Sequence, residues 1–337
     1  MIKKIIKFLL VLLLLFVLFF LFYDGGKDYN DIKIATGHGP EDLSLDLSQP
    51  DNPRILISCS KRKGEDHYGK IQAYDVKSNE VYDLPLKGYD ESKFRPHGIF
   101  LQDHDTLQYL YVISHEKTGE SEKVEDKILK FKTSHRSLEF INTVGSSSTN
   151  PLMARTNDLY VSTNDFVYST NPTDVGFSEV PANVVVIRPN GSSDIVVGGL
   201  LYPNGIYVDG NDLYVATAQG DTLYKFKLDQ NGIAIEGTKE KVASITGGDN
   251  ITRNGDELII AHHPNIYKFV LHSMVGLKSP SAVTSYNIKT GKSKVIYGPS
   301  AKDISASSTG LIHDGYLYIA QVFENYIVKV PLTDLND

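Results

Sequence analysis

The sequence has no tryptophan and only one cysteine, Cys59. A lone cysteine excludes an internal disulfide, so the fold must rest on packing and on any metal it binds. Cys59 ends the strand-like run Ile55-Leu-Ile-Ser-Cys with no histidine motif beside it. It reads as a buried, inert thiol rather than a nucleophile. A Gly-x-Ser-x-Gly elbow is also missing, which argues against a serine acyl-enzyme. Runs such as Ser146-Ser-Ser-Thr read as turns. Basic charge is short: 34 Lys and Arg stand against 41 Asp and Glu, a net charge of −7. That balance excludes a nucleic-acid binder. No long low-complexity tract is present, and 41% hydrophobic with 22% charged residues is the composition of a packed globular chain.

The N-terminus is different. Lys3, Lys4 and Lys7 precede a run from Phe8 to Tyr23 made only of Phe, Leu, Val and one Tyr. Counted from Ile5 it is about 19 residues, enough to span roughly 30 Å of hydrocarbon. Bulky Phe22 and Tyr23 run directly into Asp24-Gly25-Gly26, which leaves no small-x-small cleavage site, and no lipobox cysteine follows. The sequence therefore predicts an uncleaved signal anchor and transmembrane helix over residues 1–23 and a linker over 24–31. One extracytoplasmic domain follows over 32–337, tied to the membrane by that helix.

Beyond residue 30, sustained helical periodicity gives way to short β-branched and aromatic runs bounded by Gly, Asn, Asp and Pro. The clearest unit is Asn204-Gly-Ile-Tyr-Val-Asp-Gly-Asn-Asp-Leu-Tyr-Val-Ala-Thr-Ala with Thr222-Leu-Tyr-Lys-Phe-Lys-Leu. It returns from Asn250, with Asn265-Ile-Tyr-Lys-Phe-Val-Leu as its third strand, and again from Thr309. Looser copies begin at Glu41, His97 and Asn150. A repeat of about 50 residues in an all-strand chain is a propeller blade. The expected fold class is all-β, a six-bladed β-propeller preceded by the N-terminal helix.

The first strand of each blade lines a propeller's channel, so equivalent positions converge on the axis. Those positions hold Glu41, His97, Asn150, Asn204, Asn250 and Thr309, with Asp249 beside Asn250. Carboxylate and amide oxygens are calcium donors, whereas zinc would want nitrogen and sulfur. His115 ends the second strand of the His97 blade, where the two rings can pass a proton near neutral pH. His263, in Ala-His-His-Pro-Asn, is placed at the channel wall as a substrate contact together with Thr309. Strand alternation turns His262 away. The segments Val167–Ala182 and Leu271–Ala282 read as loops that shape the mouth, with Val270-Leu-His-Ser-Met-Val-Gly-Leu apolar enough to cover it or touch a membrane.

Seven segments carry a resemblance: Gly39-Pro-Glu-Asp-Leu, Arg95-Pro-His-Gly-Ile, Val112-Ile-Ser-His, Ser162-Thr-Asn-Asp, Pro203-Asn-Gly-Ile, Gly248-Asp-Asn-Ile and His263-Pro-Asn. In this order the sequence resembles the paraoxonase/arylesterase family of calcium-dependent six-bladed propellers. The resemblance implies that Glu41, Asn150, Asn204, Asp249 and Asn250 hold a catalytic calcium and that His97 and His115 form a dyad activating water. The expected reaction is hydrolysis of small-molecule lactones and aryl esters, with phosphotriesters as side substrates, the metal polarising the carbonyl and His97 acting as general base. A second, structural calcium in the family uses the counterparts of Asp42, the Ile99 carbonyl and an aspartate following the asparagine at 150. Pro151 stands there instead, so one calcium is expected. The alternatives are a gluconolactonase-like hydrolase and a non-catalytic propeller stapled by calcium. The oligomeric state is unknown from sequence.

Overall fold

The computed structural model describes residues 2–22, 28–62, 69–104, 107–117, 124–172, 181–300 and 302–335. Six sheets follow one another along the chain, five of four strands and one of five; sequence neighbours lie side by side, except that Ile32–Ala35 joins the last sheet beside Tyr326–Pro331 and Leu86–Lys87 joins the second beside Leu138–Ser146. This is the six-bladed propeller that the repeat predicts. The first blade runs Pro40–Asp46, Arg54–Ser60, Gly69–Asp75 and Val81–Leu84. Along Arg54–Ser60 every residue is buried, because a middle strand is covered by a blade on each side. Alternate residues therefore feed two different cores. Leu56 packs towards the second blade with Ile99, Val112 and Leu129, while Ile55 and Ile57 pack towards the last blade with Tyr318 and Ala320. Six apolar clusters result, one at each junction between neighbouring blades. Cys59 is fully buried in one of them, where burial pushes its thiol up to about 12.

The ring closes without a disulfide. Strand Ile32–Ala35 supplies the outer edge of the last blade, pairing antiparallel with Tyr326–Pro331 from Ile32 opposite Lys329 to Ala35 opposite Tyr326. Of the segment read as a linker, 24–27 lie outside the described residues; 28–31 are docked on the protein. The Tyr29 ring stacks on Tyr297 at 4.3 Å, and the Tyr297 hydroxyl donates to Asp31 Oδ2 at 2.7 Å.

Helix α1 spans Ile2–Phe22. Among the described residues, no helix is long and apolar enough to cross a membrane. The membrane-spanning reading of residues 1–23 is therefore not supported by the structure.

A second helix, α2 (Ile266–Val275), departs from the sequence reading. The sequence predicts a strand from Asn265 and a loop over Leu271–Ala282. Instead the Asn265 side chain accepts from the Lys268 N–H as an N-cap, and Gly276, at φ 74°, ends the helix. The third strand of that blade is Ser281–Asn287. Likewise Val167–Asn171, read as loop, is a strand of the third blade; positions 173–180 of that loop lie outside the described residues.

Candidate active site

The side chains at the axis are aimed by a device shared by five blades. The first hairpin of each carries a register shift near the start of its inner strand: Pro40/Asp42, Pro96/Ile99, Pro203/Ile206, Gly248/Ile251 and Ser307/Gly310. A bulge bends the strand and re-aims the extra residues. Glu41, His97, Asn204, Asp249 with Asn250, and Thr309 all lie inside these bulges. Two glycines allow neighbouring blades to come close. A Cβ on Gly98 would lie 2.8 Å from the Asn157 carbonyl, and one on Gly205 only 2.2 Å from the Asp249 carbonyl. His97-Gly98 and Asn204-Gly205 are thus paired for a physical reason: the first residue points into the channel, and the second has no side chain to obstruct the next blade.

Two arcs of contacts link the side chains of the ring. Asn157 donates to Asn204 Oδ1, Asn204 hydrogen-bonds Asp249, and Asp249 Oδ2 lies 2.9 Å from His263 Nε2. Across the channel, Glu41 pairs with the Arg62 guanidinium and places Oε1 2.8 Å from His97 Nε2. His97 begins a row of contacts: its Nδ1 is 2.6 Å from His115 Nε2, and His115 Nδ1 is 2.6 Å from Asp126 Oδ1. Burial first, then the positive Arg62 and neighbouring His115, hold His97 well below the usual histidine range. It is unprotonated at neutral pH. The ring floors a cavity of ≈ 210 Å³ whose walls include Tyr202, Ile266, Phe269, Val322 and Phe323. α2 therefore forms part of the wall through Ile266 and Phe269.

Further along the inner strands lies a second polar set. Asp42 accepts from the N–H groups of its own neighbour Leu43 (2.8 Å) and of Ile99 in the next blade (2.6 Å). Asp158 repeats the pattern with Leu159 (2.8 Å) and Ile206 (3.0 Å). Both line a separate cavity with Ile99 and Asn250. Burial raises Asp42 to about 6. Asp158 is raised well above the ordinary carboxylate range by burial and then by Asp42, and Asp249 is raised by burial.

A family model for arylesterases matches residues 61–328. The chain belongs to the arylesterase family. No curated protein matches it in a sequence search. Among solved structures, it is similar to a protein assigned as a gluconolactonase, at 12% identity and TM-score 0.56 over 91% of this chain and 94% of that one. The calcium-binding protein regucalcin from Agrobacterium tumefaciens aligns at 13% identity and TM-score 0.54, over 88% and 93%. The PQQ-bound aldose sugar dehydrogenase from Streptomyces coelicolor aligns at 12% and 0.56, over 91% and 99%. At these identities the likenesses show the fold alone, and one propeller fold serves several chemistries.

In this arylesterase-family chain the structure brings together Glu41, His97, His115, Asn204, Asp249, Asn250 and His263 and relocates two other residues. Asn150 is not in the ring: it caps the short helix Pro151–Met153, accepting from the Leu152 N–H and donating to Ser193 Oγ at 2.8 Å. The third blade reaches the axis through Asn157 and Asp158, immediately before its inner strand Leu159–Val161. The Asn-Asp pair stands where the first blade has Glu41-Asp42, so Pro151 is irrelevant to the channel and the objection it raised to a second cation falls. Thr309, expected to touch substrate, is fully buried below the cavity. Its hydroxyl lies 2.8 Å from Asp42 Oδ1 and 2.9 Å from the Glu41 carbonyl, and it accepts from Asn250 at 3.0 Å. It joins the last blade to the first. His262 is turned away, bonded to the Thr246 carbonyl and Thr284. Sequence reasoning missed Arg62, Asn157, Asp158 and Asp126. Arg62 sits in a Lys-Arg-Lys-Gly run that reads as solvated loop, and Asp126 is placed only by strand register.

The donors fit a hard divalent cation. Among the described residues, no group of three or more His, Cys, Asp or Glu side chains is arranged to hold a metal, so the set depends on amide oxygens as well. Carboxylate and amide oxygens are what calcium takes, at six to eight per ion. Buried carboxylates that raise one another's proton affinity are the electrostatic problem such an ion solves.

Proposed function

We propose that this arylesterase-family propeller hydrolyses lactones, and with them aryl esters, at the channel mouth, with calcium held by Glu41, Asn157, Asn204, Asp249 and Asn250. The observation that carries the reading is His97. It is an unprotonated imidazole on the floor of an apolar-walled cavity, adjoining the oxygen ring through Glu41 and backed by His115. When bound, calcium would supply positive charge against the oxyanion that forms at the attacked carbonyl. The residues do the rest. His97 Nε2 accepts a proton from the attacking water, and His115 takes up charge behind it. Ile266, Phe269, Val322 and Phe323 receive an alkyl chain or aryl ring and keep bulk water from it. No nucleophilic side chain is required. Asp42, Asp158 and the Ile99 carbonyl are the donors we assign to a second, structural ion.

Hydrolysis of alkyl lactones and phenyl esters, with phosphotriesters as a side activity, is expected in calcium and absent in excess chelator. A calcium-bound, folded protein inert to all lactones and esters, sugar lactones included, would leave the stapled binding module. A substitution pair tests the corrected ring. Asn157→Ala is expected to weaken calcium binding by about tenfold or more, since even outer-shell partners act on that scale. Asn150→Ala should leave affinity unchanged and cost about 1 kcal/mol of stability as a lost cap. Calorimetric titration reads both, and equal losses at the two positions would return Asn150 to the site.

A further inference from the structure

We propose that Asp126 is a positioning residue that fixes the His115 ring with its hydrogen on Nδ1, so that His115 Nε2 is turned to His97 as a proton acceptor. The proposal rests on the catalytic reading of His97 above.

Asp126 lies directly opposite His115 in the antiparallel register of strands Leu107–Lys117 and Val124–Thr133. It is 6% exposed, and its neighbours hold it on every side. Oδ2 accepts from the Arg155 N–H at 2.5 Å, its own N–H donates to Ser147 Oγ at 2.9 Å, and its carbonyl accepts from the Ser147 N–H at 2.8 Å. Arg155 makes its contact from φ 62°, in the left-handed region that a non-glycine residue adopts only when its surroundings require it. The carboxylate is thus fixed with Oδ1 2.6 Å from His115 Nδ1.

A carboxylate can only accept. The hydrogen between Asp126 and His115 therefore sits on His115 Nδ1, and a neutral His115 has its lone pair on Nε2. The 2.6 Å contact to His97 Nδ1 must then be filled by the hydrogen of His97 Nδ1. His97 Nε2 is the nitrogen next to Glu41 and the cavity.

The same count describes the step. Water gives a proton to His97 Nε2 as its oxygen bonds to the carbonyl carbon, and the Nδ1 proton of His97 passes to His115 Nε2. The positive charge then resides on His115 against Asp126, away from the Arg62 guanidinium. Three contacts between two carboxylates, Glu41 to Asp126, hold three protons on two rings in this state.

The test uses the full chain in calcium with an alkyl lactone as substrate. Asp126→Asn is expected to lower kcat by about 10–100-fold, the usual scale for a partner that orients a functional imidazole, with KM within about twofold. Asp126→Glu should recover part of the loss. Long-range ¹⁵N–¹H correlation spectra of the unaltered protein should show the His115 hydrogen on Nδ1, and Asp126→Asn should weaken that signature. A kcat for Asp126→Asn equal to the parent, or a parent His115 carrying its hydrogen on Nε2 alone, overturns the proposal. If the parent hydrolyses no lactone, the catalytic reading fails instead, and the spectrum alone then decides the positioning role.

Discussion

His97→Gln is expected to lower kcat for lactone hydrolysis by about 10²–10⁴-fold, the range for removing a general base. Glutamine keeps a polar group of similar reach but has no basic nitrogen near neutral pH. The loss should therefore appear in kcat rather than KM, whose determinants are the apolar walls at Ile266, Phe269, Val322 and Phe323. Calcium affinity should change little, because His97 touches the oxygen ring only through Glu41. Initial rates across a range of substrate concentrations separate these terms. A variant retaining more than about a tenth of the parent kcat would remove His97 from the chemistry.

Chelation should destabilise the protein increasingly as pH rises. Without a cation, Asp42 binds its proton more tightly folded, at about 6, than unfolded, at 3.8; Asp158 and Asp249 shift in the same direction. A carboxyl raised in the folded state contributes stability that is present below the unfolded value and is lost as pH rises through the folded one. In chelator the melting temperature should accordingly fall from about pH 4 to above pH 6. Calcium should reverse the trend, since the ionised carboxylates are its ligands. At 100-fold over the dissociation constant an ion adds about 2.7 kcal/mol, a rise of roughly 4 °C for a chain of this size. Calorimetric scans at several pH values, with and without chelator, check this. Identical curves in both media would remove the cation from the channel.

The propeller was legible because its repeat is written in strand-period residues, and four of its inner strands are announced by glycines or carboxylates at Glu41, His97-Gly98, Asn204-Gly205 and Asp249-Asn250. The third blade misled for an equally local reason. The string Asn-Asp-Leu-Tyr-Val occurs at 157–161 and at 211–215. In the fourth blade it leads into the second strand, Asp212–Thr217, whereas in the third it leads into the first, Leu159–Val161. Identical residues take different places because register is set by what each strand can pair with, which a single segment does not state. Helix α2 was hidden by brevity. Ten residues give little periodicity, although Asn265 and Gly276 mark both of its ends. Asp126 needed the pairing of two strands, and Arg62 needed the fold to bury a basic loop residue, so neither announces itself in sequence.

The strand at Ile32–Ala35 has a consequence for how the molecule is made. Its partner, Tyr326–Pro331, is roughly 300 residues away, so this contact has close to the longest loop-closure separation the chain allows. Each blade can form from its own consecutive hairpins as it leaves the ribosome. The last one waits with an unpaired edge until the chain's two far regions meet. Until then that edge is a template for another molecule's strand. Refolding yield at high protein concentration should be governed by this one late encounter rather than by the blades themselves.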